Sequence, residues 1–192
     1  MLLLLSGLIL FIGAHATGII DNAWRERTMA RVGLPVWRAG IGLLAITGLV
    51  LIVLGYGDAR SALDPIVLYQ PPVWTRHLAL LLMLPVFPLL LAAYLPGRIQ
   101  RTTRHPMLLA VKVWALAHLL ANGMLIDLLL FGSLLIWAVA DRISLKHRAT
   151  PPVPGAAPGR FNDLIALGGG LVLYVAFLLF LHRWLFGVAP LG

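Results

Sequence analysis

The residues best suited to chemistry in this sequence lie in one short apolar stretch that ends at Asn122. Trp114, His118 and Asn122 follow one another at intervals of four residues, which predicts that they share one face of a helix. A polar side chain inside a bilayer is costly, so an intramembrane histidine is a candidate for a functional site. The lone pair of a neutral imidazole can bind a metal ion or a haem iron.

A second candidate histidine, His15, lies in the first apolar run. It stands between small residues, Gly13, Ala14, Ala16, Thr17 and Gly18. Small side chains leave room beside an imidazole for a planar macrocycle, or for the close approach of another helix. We expect His15 and His118 to act as ligands, and the alternative for both is a hydrogen bond that holds helices together.

Cysteine does not occur in the sequence. This excludes disulfides, iron–sulfur clusters, thiolate-ligated haem and covalently attached haem. A metal ion or haem iron would therefore be held by histidine, or less often by Met or Tyr. Asn122, four residues after His118, is predicted to orient the imidazole through a hydrogen bond. His77, His147 and His182 fall at predicted interfaces or in a basic loop, where they need no function.

A basic group precedes the helix that carries His118. Arg101, Arg104 and His105 lie directly before Pro106, which suits the first turn of a helix. The N-terminus of that helix together with two guanidinium groups would attract an anion such as a phosphate, a propionate or a carboxylate. Chance clustering of basic residues at a membrane interface explains the group equally well.

The composition predicts the protein class. Of the 192 residues, 60% are hydrophobic and only 11% are charged, and the mean hydropathy is +0.94. Soluble domains carry about 25% charged residues, so we expect a membrane protein of several spans. The net charge is +8, and most of the charged residues lie between the apolar runs. This charge is therefore interpreted as a topology signal and not as a nucleic-acid surface.

The apolar runs predict an all-α polytopic membrane helix bundle that forms a single domain over residues 1–192, because a span needs roughly 20 apolar residues. Asn122-Gly123 separates the fourth and fifth spans and predicts a tight hairpin. Pro85 and Pro88 should kink the third span, Gly168 to Gly170 permit close helix packing, and residues 150–159 form a flexible cytoplasmic linker. The six predicted spans are residues 2–20, 37–56, 77–95, 106–121, 124–140 and 164–186.

Lys and Arg residues predict the orientation of these spans. Most of them fall on one side if both termini lie outside the cytoplasm, and Lys112 could reach back to the interface from inside its span. On this arrangement His15 and His118 differ in depth by up to about 12 Å. One haem between the first and fourth spans would then need a tilted ring or a displaced helix.

The pattern HPxxxxxxxWxxAHxxxNG, from His105 to Gly123, together with Gly-Ala-His15, resembles the NnrU family of bacterial membrane proteins. It is also similar to the plant and cyanobacterial zeta-carotene isomerases, which share this domain. The resemblance covers nearly the whole chain. It implies haem b, with His15 and His118 matching the two histidines implicated in haem ligation, and His105 matching a further motif histidine.

The resemblance leads to a functional prediction in which enzyme activity stays open. We expect a multi-pass protein of the bacterial cytoplasmic membrane with both termini periplasmic. It would bind haem b and act in nitric-oxide and denitrification metabolism, or as an isomerase-like protein on an apolar substrate taken from the lipid. The expected cofactor-binding residues are His15, His118, His105, Trp114, Asn122 and Arg104, with His15 and His118 as metal ligands.

Two alternatives come from other functional classes. One is a non-catalytic accessory or assembly factor for a membrane redox complex, in which the histidines would join helices. The other rests on Arg104-His105-Pro106, which resembles the motif that holds S-adenosylmethionine in isoprenylcysteine-type methyltransferases. Leu108 and Leu109 stand where that motif has an aromatic residue, and no paired glutamates follow, so methyl transfer is the weaker alternative.

Overall fold

The computed structural model describes residues 1–148 and 155–191. Regular structure in this part of the chain is helical. Two compact units are distinguished: unit 1 comprises Met1–Gln70 and Gly123–Ala149, and unit 2 comprises Pro71–Asn122 and Thr150–Gly192. The α-helices, in chain order, are α1 (Leu2–Ile20), α2 (Asn22–Val32), α3 (Leu34–Arg60), α4 (Val73–Met83), α5 (Val86–Ala92), α6 (Arg98–Thr103), α7 (Pro106–Ala121), α8 (Leu125–Asp127), α9 (Ser133–Ser144), α10 (Asn162–Ala176) and α11 (His182–Phe186).

Membrane-spanning helices are the main feature of the fold, as the composition predicts. In the described residues, four helical segments are long and apolar enough to cross a bilayer: Leu2–Ile20, Leu34–Arg60, Val73–Ala92 and Asn162–Phe186. Pro106–Ala121 is apolar but shorter. A further helical stretch joins α8 to α9 through a π-helical segment, Leu128–Gly132, and contains Asp127, Asp141 and Arg142. The predicted number of six spans is therefore not confirmed.

A polar helix, α2, joins the first two spans where the sequence indicates only a charged loop. The Asp21 side chain caps it by accepting a hydrogen bond from the backbone N–H of Trp24 at 2.8 Å. The helix ends at Gly33, whose φ of +83° is a conformation that glycine adopts without steric cost. We attribute the helix to these two end signals, because its sequence carries no apolar stripe.

Unit 1 is organised by close packing of α1 against α3. Both helices present glycine at the contact, and a Cβ added to Gly7 would lie 2.6 Å from the backbone nitrogen of Ile52. One added to Gly48 would lie 2.7 Å from the nitrogen of Phe11. Apolar helices in lipid gain little from the hydrophobic effect, so such backbone approach supplies the van der Waals contact that joins them.

The chain enters α8 in an extended conformation at the Asn122-Gly123 dipeptide. Asn122 has φ −129° and ψ 147°, and the carbonyl of Gly123 accepts hydrogen bonds from the backbone N–H groups of Leu68 and Tyr69 at 2.8 and 3.2 Å. A Cβ on Gly123 would overlap the Tyr69 carbonyl. Close approach of this loop to residues 66–69 therefore explains the glycine, whereas the sequence suggests a turn.

Unit 2 contains the predicted break in the third span. Pro85 separates α4 from α5, and the N–H of Leu84 bonds the carbonyl of Leu81 instead of that of Leu80. The Leu80 carbonyl accepts a hydrogen bond from the Tyr174 hydroxyl of α10 at 3.0 Å. A side chain of a neighbouring helix thus satisfies the backbone group that the break releases, as a membrane interior requires.

The glycine run in the last span packs against the other proline of the break. A Cβ on Gly170 would lie 2.6 Å from the Cα atom of Pro88, so α10 and α5 approach at backbone distance. Phe87 and Phe177 stack nearby with ring centroids 4.8 Å apart. The packing role predicted for the glycine run is confirmed at Gly170.

Polar residues at the start of α10 fasten the segments around it. The buried Asn162 amide donates to the carbonyls of Pro96 and Ala157 at 2.9 and 3.0 Å. The Asp163 carboxylate accepts two backbone N–H groups at the start of α6, at 2.8 and 3.0 Å. Residues 155–159 have no regular structure, as predicted for the linker, and the rest of that predicted linker lies outside the described residues.

Candidate functional site

His15 lies on α1 with its ring held in one orientation. Its Nδ1 atom is 2.7 Å from the carbonyl oxygen of Phe11, one turn earlier. A carbonyl accepts only, so Nδ1 carries the proton in the neutral ring and the lone pair is on Nε2. The side chain is exposed on α1. It contacts the ring of Phe11 at a centroid distance of 4.5 Å.

An unsatisfied donor lies beside His15 within unit 1. The Trp137 ring of α9 meets the imidazole edge to face, with centroids 5.5 Å apart. Its indole Nε1 atom is buried and has no acceptor among the described residues. A buried N–H without a partner costs roughly 1–3 kcal/mol, so this donor is a place where a bound molecule would supply an acceptor.

His118 in unit 2 repeats the arrangement of His15. Its Nδ1 atom is 2.9 Å from the carbonyl oxygen of Trp114, again one turn earlier, and this assigns the lone pair to Nε2. The Trp114 ring lies against the imidazole with centroids 5.0 Å apart. The small residues Ala115 and Ala117 beside them are buried. The predicted stripe of Trp114 and His118 on one helix face is confirmed.

The role predicted for Asn122 in orienting the imidazole differs from what the hydrogen bonds show. The Asn122 amide donates to the backbone carbonyl of His118 at 2.9 Å, and its own backbone N–H donates to the same oxygen. Asn122 therefore caps the C-terminus of α7, whose last carbonyls have no partner within the helix. The Trp114 carbonyl, and not Asn122, holds the ring of His118.

The predicted anion site lies at the start of α7. His105 is its N-cap residue and is half-buried, while Arg101 and Arg104 are exposed. Arg104 has φ +61°, a left-handed conformation that costs a non-glycine residue about 1–2 kcal/mol. This turn lets α6 end directly before α7. Anion binding at this position stays a prediction.

The candidate residues are divided between the two units. His15 belongs to unit 1, whereas Arg104, His105, Trp114, His118 and Asn122 belong to unit 2. Ligation of one iron by both histidines stays a prediction from the sequence. In the part of the chain that the structure describes, no group of three or more His, Cys, Asp or Glu side chains is placed to hold a metal ion.

The remaining histidines stand where the sequence predicts surface positions. His77 and His147 are exposed. The Nδ1 atom of His182 is 2.7 Å from the carbonyl of Val188, so its ring fastens the end of α11.

Unit 1 contains a buried polar network around Asp127 that is not among the residues predicted from the sequence. The Asp127 carboxylate is 1% exposed and accepts a hydrogen bond from the Tyr56 hydroxyl at 2.6 Å. It also accepts the backbone N–H of Met124 at 2.9 Å, and its Oδ1 atom lies 3.7 Å from the Arg60 guanidinium. The pKa of Tyr69 in the adjoining loop is raised, first because the side chain is partly buried and second because the Asp127 carboxylate is negatively charged. The sequence does contain a signal for this network, because an acidic residue inside the apolar run 124–140 indicates a buried polar contact.

Comparison with known proteins gives one finding. No curated protein and no solved structure matches the chain significantly. The family model described as "NnrU protein" matches residues 3–190, which span both units and include every candidate residue above. This match confirms the family resemblance that the histidine, tryptophan and asparagine pattern indicates. The chain belongs to the NnrU protein family.

Proposed function

We propose that this NnrU-family membrane protein binds haem b through histidine side chains, with His15 and His118 as the residues that would hold the iron. The observation that carries the proposal is the shared state of the two rings. In each, Nδ1 lies within 2.9 Å of the carbonyl one turn earlier. Two intramembrane histidines are thus held as the same tautomer, with Nε2 as the atom that can bind iron.

The donor set of the chain fits a haem better than a bare metal ion. A bare transition-metal ion needs about four protein ligands, and the described residues offer no such cluster. A porphyrin supplies the equatorial nitrogens itself, so its iron needs only one or two side chains. The buried Nε1–H of Trp137 beside His15 would find its missing acceptor in a bound molecule.

The chain's residues would do three things in this function. His15 and His118 would bind, Phe11 and Trp114 would fix the rings through their carbonyls, and apolar side chains would exclude water. Haem b, when bound, would supply an iron able to bind nitric oxide or to change redox state beside the double bond of an apolar substrate. A role in nitric-oxide and denitrification metabolism, or in isomerase-like chemistry, is proposed on this basis.

Orientation in the membrane forms part of the proposal. The basic residues Arg25, Arg27 and Arg31 follow the first span, and Arg98, Arg101 and Arg104 precede α7. Basic residues near span ends favour the cytoplasmic side of a membrane. We therefore place these ends on the cytoplasmic side of the bacterial cytoplasmic membrane and both termini on its periplasmic side.

The test is the visible spectrum of histidine variants expressed with a supply of haem. We expect His15→Ala and His118→Ala each to weaken or shift the Soret band, because each removes one nitrogen ligand. His77→Ala, at an exposed histidine, is the matched control and should leave the band unchanged. Size-exclusion profiles would show that the variants fold.

A Soret band that is the same in both variants and in the unaltered protein would contradict the ligand assignment. A folded, colourless protein that co-purifies with a membrane redox complex would instead favour an accessory role. In that case His118→Ala would lower thermal stability without any change in colour.

A further inference from the structure

A cleft with both polar and apolar lining residues opens in unit 1 where the end of α1 and the start of α2 meet the end of α9. Its volume is about 490 Å³, within the range of about 300–1,000 Å³ that ligand clefts occupy. It lies at the end of a membrane span, next to the polar helix α2. The cleft is lined by Gly18, Ile19, Asn22, Ala140, Ile143, Ser144, His147 and Arg148.

The Arg148 guanidinium, a hydrogen-bond donor held in a fixed position, forms one wall of the cleft. The Arg148 side chain is only 11% exposed. It forms an ion pair with Asp141 through Nη2, and its Nε donates to the Ser144 hydroxyl at 3.0 Å. A Cβ on Gly18 would lie 2.6 Å from Nη1, so the glycine makes room for the guanidinium against α1. These contacts hold the guanidinium in place at the wall of the cleft, where a charged donor favours a phosphate as its acceptor.

Asn22, which also lines the cleft, supplies a hydrogen-bond acceptor. Its Nδ2 donates to the Glu26 carboxylate at 2.7 Å, and this assigns the other amide atom as oxygen. That Oδ1 atom is buried and receives no hydrogen bond from any described residue. Its bond to an anionic partner polarises the amide and makes Oδ1 a better acceptor. A ligand that fills the cleft should therefore bring a donor as well as an acceptor.

We propose that this cleft binds the headgroup of a zwitterionic phospholipid with a primary ammonium, of the phosphatidylethanolamine class. The phosphate would accept from Arg148, and the ammonium N–H groups would donate to Asn22 Oδ1. Ile19 and Ile143 supply apolar surface for the start of the acyl chains. The site is independent of the haem proposal.

The charges around the cleft distinguish this lipid from the common alternatives. Asp141 neutralises Arg148, and Glu26 lies behind Asn22, so a net anion such as phosphatidylglycerol gains little. His147 is the other titratable side chain that lines the cleft. Phosphatidylcholine has the same phosphate, but its quaternary ammonium carries no N–H, so the Asn22 oxygen would stay unsatisfied.

The experiment is native mass spectrometry of the full chain, delipidated in detergent and titrated with the three lipids carrying identical acyl chains. We expect phosphatidylethanolamine to bind about tenfold more tightly than phosphatidylcholine, the effect of one hydrogen bond to a buried acceptor. Asn22→Ala should abolish that preference. The double variant Arg148→Gln with Asp141→Asn, which keeps the net charge, should weaken both lipids.

The control is Lys146→Gln, which removes a charge from the same helix end but does not line the cleft. It should change neither affinity. Equal affinity for ethanolamine and choline lipids, or an Asn22→Ala variant that keeps the preference, would overturn the proposal. Soluble phosphoethanolamine should compete with the lipid and inorganic phosphate should not. If inorganic phosphate competed as well as phosphoethanolamine, the site would recognise phosphate alone, and the assigned headgroup would be wrong.

Discussion

Replacing Asp127 with alanine is expected to lower the free energy of unfolding by about 3 kcal/mol. The substitution leaves the Tyr56 hydroxyl and the Met124 N–H without their acceptor, and each such loss costs about 1–3 kcal/mol when the group is buried. The Arg60 side chain is 30% exposed, so water solvates part of its charge and the ion pair adds little.

The measurement is chemical or thermal unfolding of the purified protein in detergent. Asp58→Ala is the matched control, because Asp58 lies near the same end of α3 but is exposed, and it should leave stability nearly unchanged. Asp127→Asn keeps one acceptor oxygen and should lose less than Asp127→Ala. Equal stability of Asp127→Ala and Asp58→Ala would show that the network contributes nothing.

Replacing Gly55 with alanine is expected to destabilise the α1–α3 pair by about 2 kcal/mol. The new Cβ would overlap the backbone nitrogen of Leu4 and would lie 2.8 Å from its Cα atom. Leu4 is fully buried, so relief requires the two helices to separate. Overpacking of a close contact costs about 1–3 kcal/mol.

Gly57→Ala, two residues along the same helix, should have the opposite sign. No heavy atom lies within 4 Å of its added Cβ, and alanine in a helix is favoured over glycine by up to about 1 kcal/mol. Unfolding of both variants under the same conditions measures the difference directly. Destabilisation of similar size in both would contradict the assignment of the Gly55→Ala effect to α1–α3 packing, because Gly57→Ala introduces no such contact.

Much of the fold was predictable because lipid imposes simple rules. The apolar runs gave α1 and Pro106–Ala121 with their bounds, and Pro85 predicted the interruption after α4. The polar helix α2 was missed because its signals are an Asp21 cap and a terminal glycine instead of an apolar period. The π-helical segment Leu128–Gly132 was not predictable either, since it has no local sequence signature.

The residue types of the candidate site were predictable from the sequence, whereas their hydrogen-bond partners were not. Spacing placed Trp114 and His118 on one face, but a sequence does not say which acceptor an imidazole chooses. The two rings bond backbone carbonyls, so Asn122 is left to cap the helix. The unpartnered atoms of Trp137 and Asn22 depend on tertiary burial, which no spacing encodes.

The central claim is that the chain binds haem b, and the most direct measurement is the pyridine haemochrome spectrum of the unaltered protein. The protein would be expressed with a haem supply and purified as a single species in detergent. We predict the spectrum of haem b at about one haem per chain, because the proposal assigns His15 and His118 to the same haem. A folded protein with no haem b above that of a mock preparation would contradict the claim.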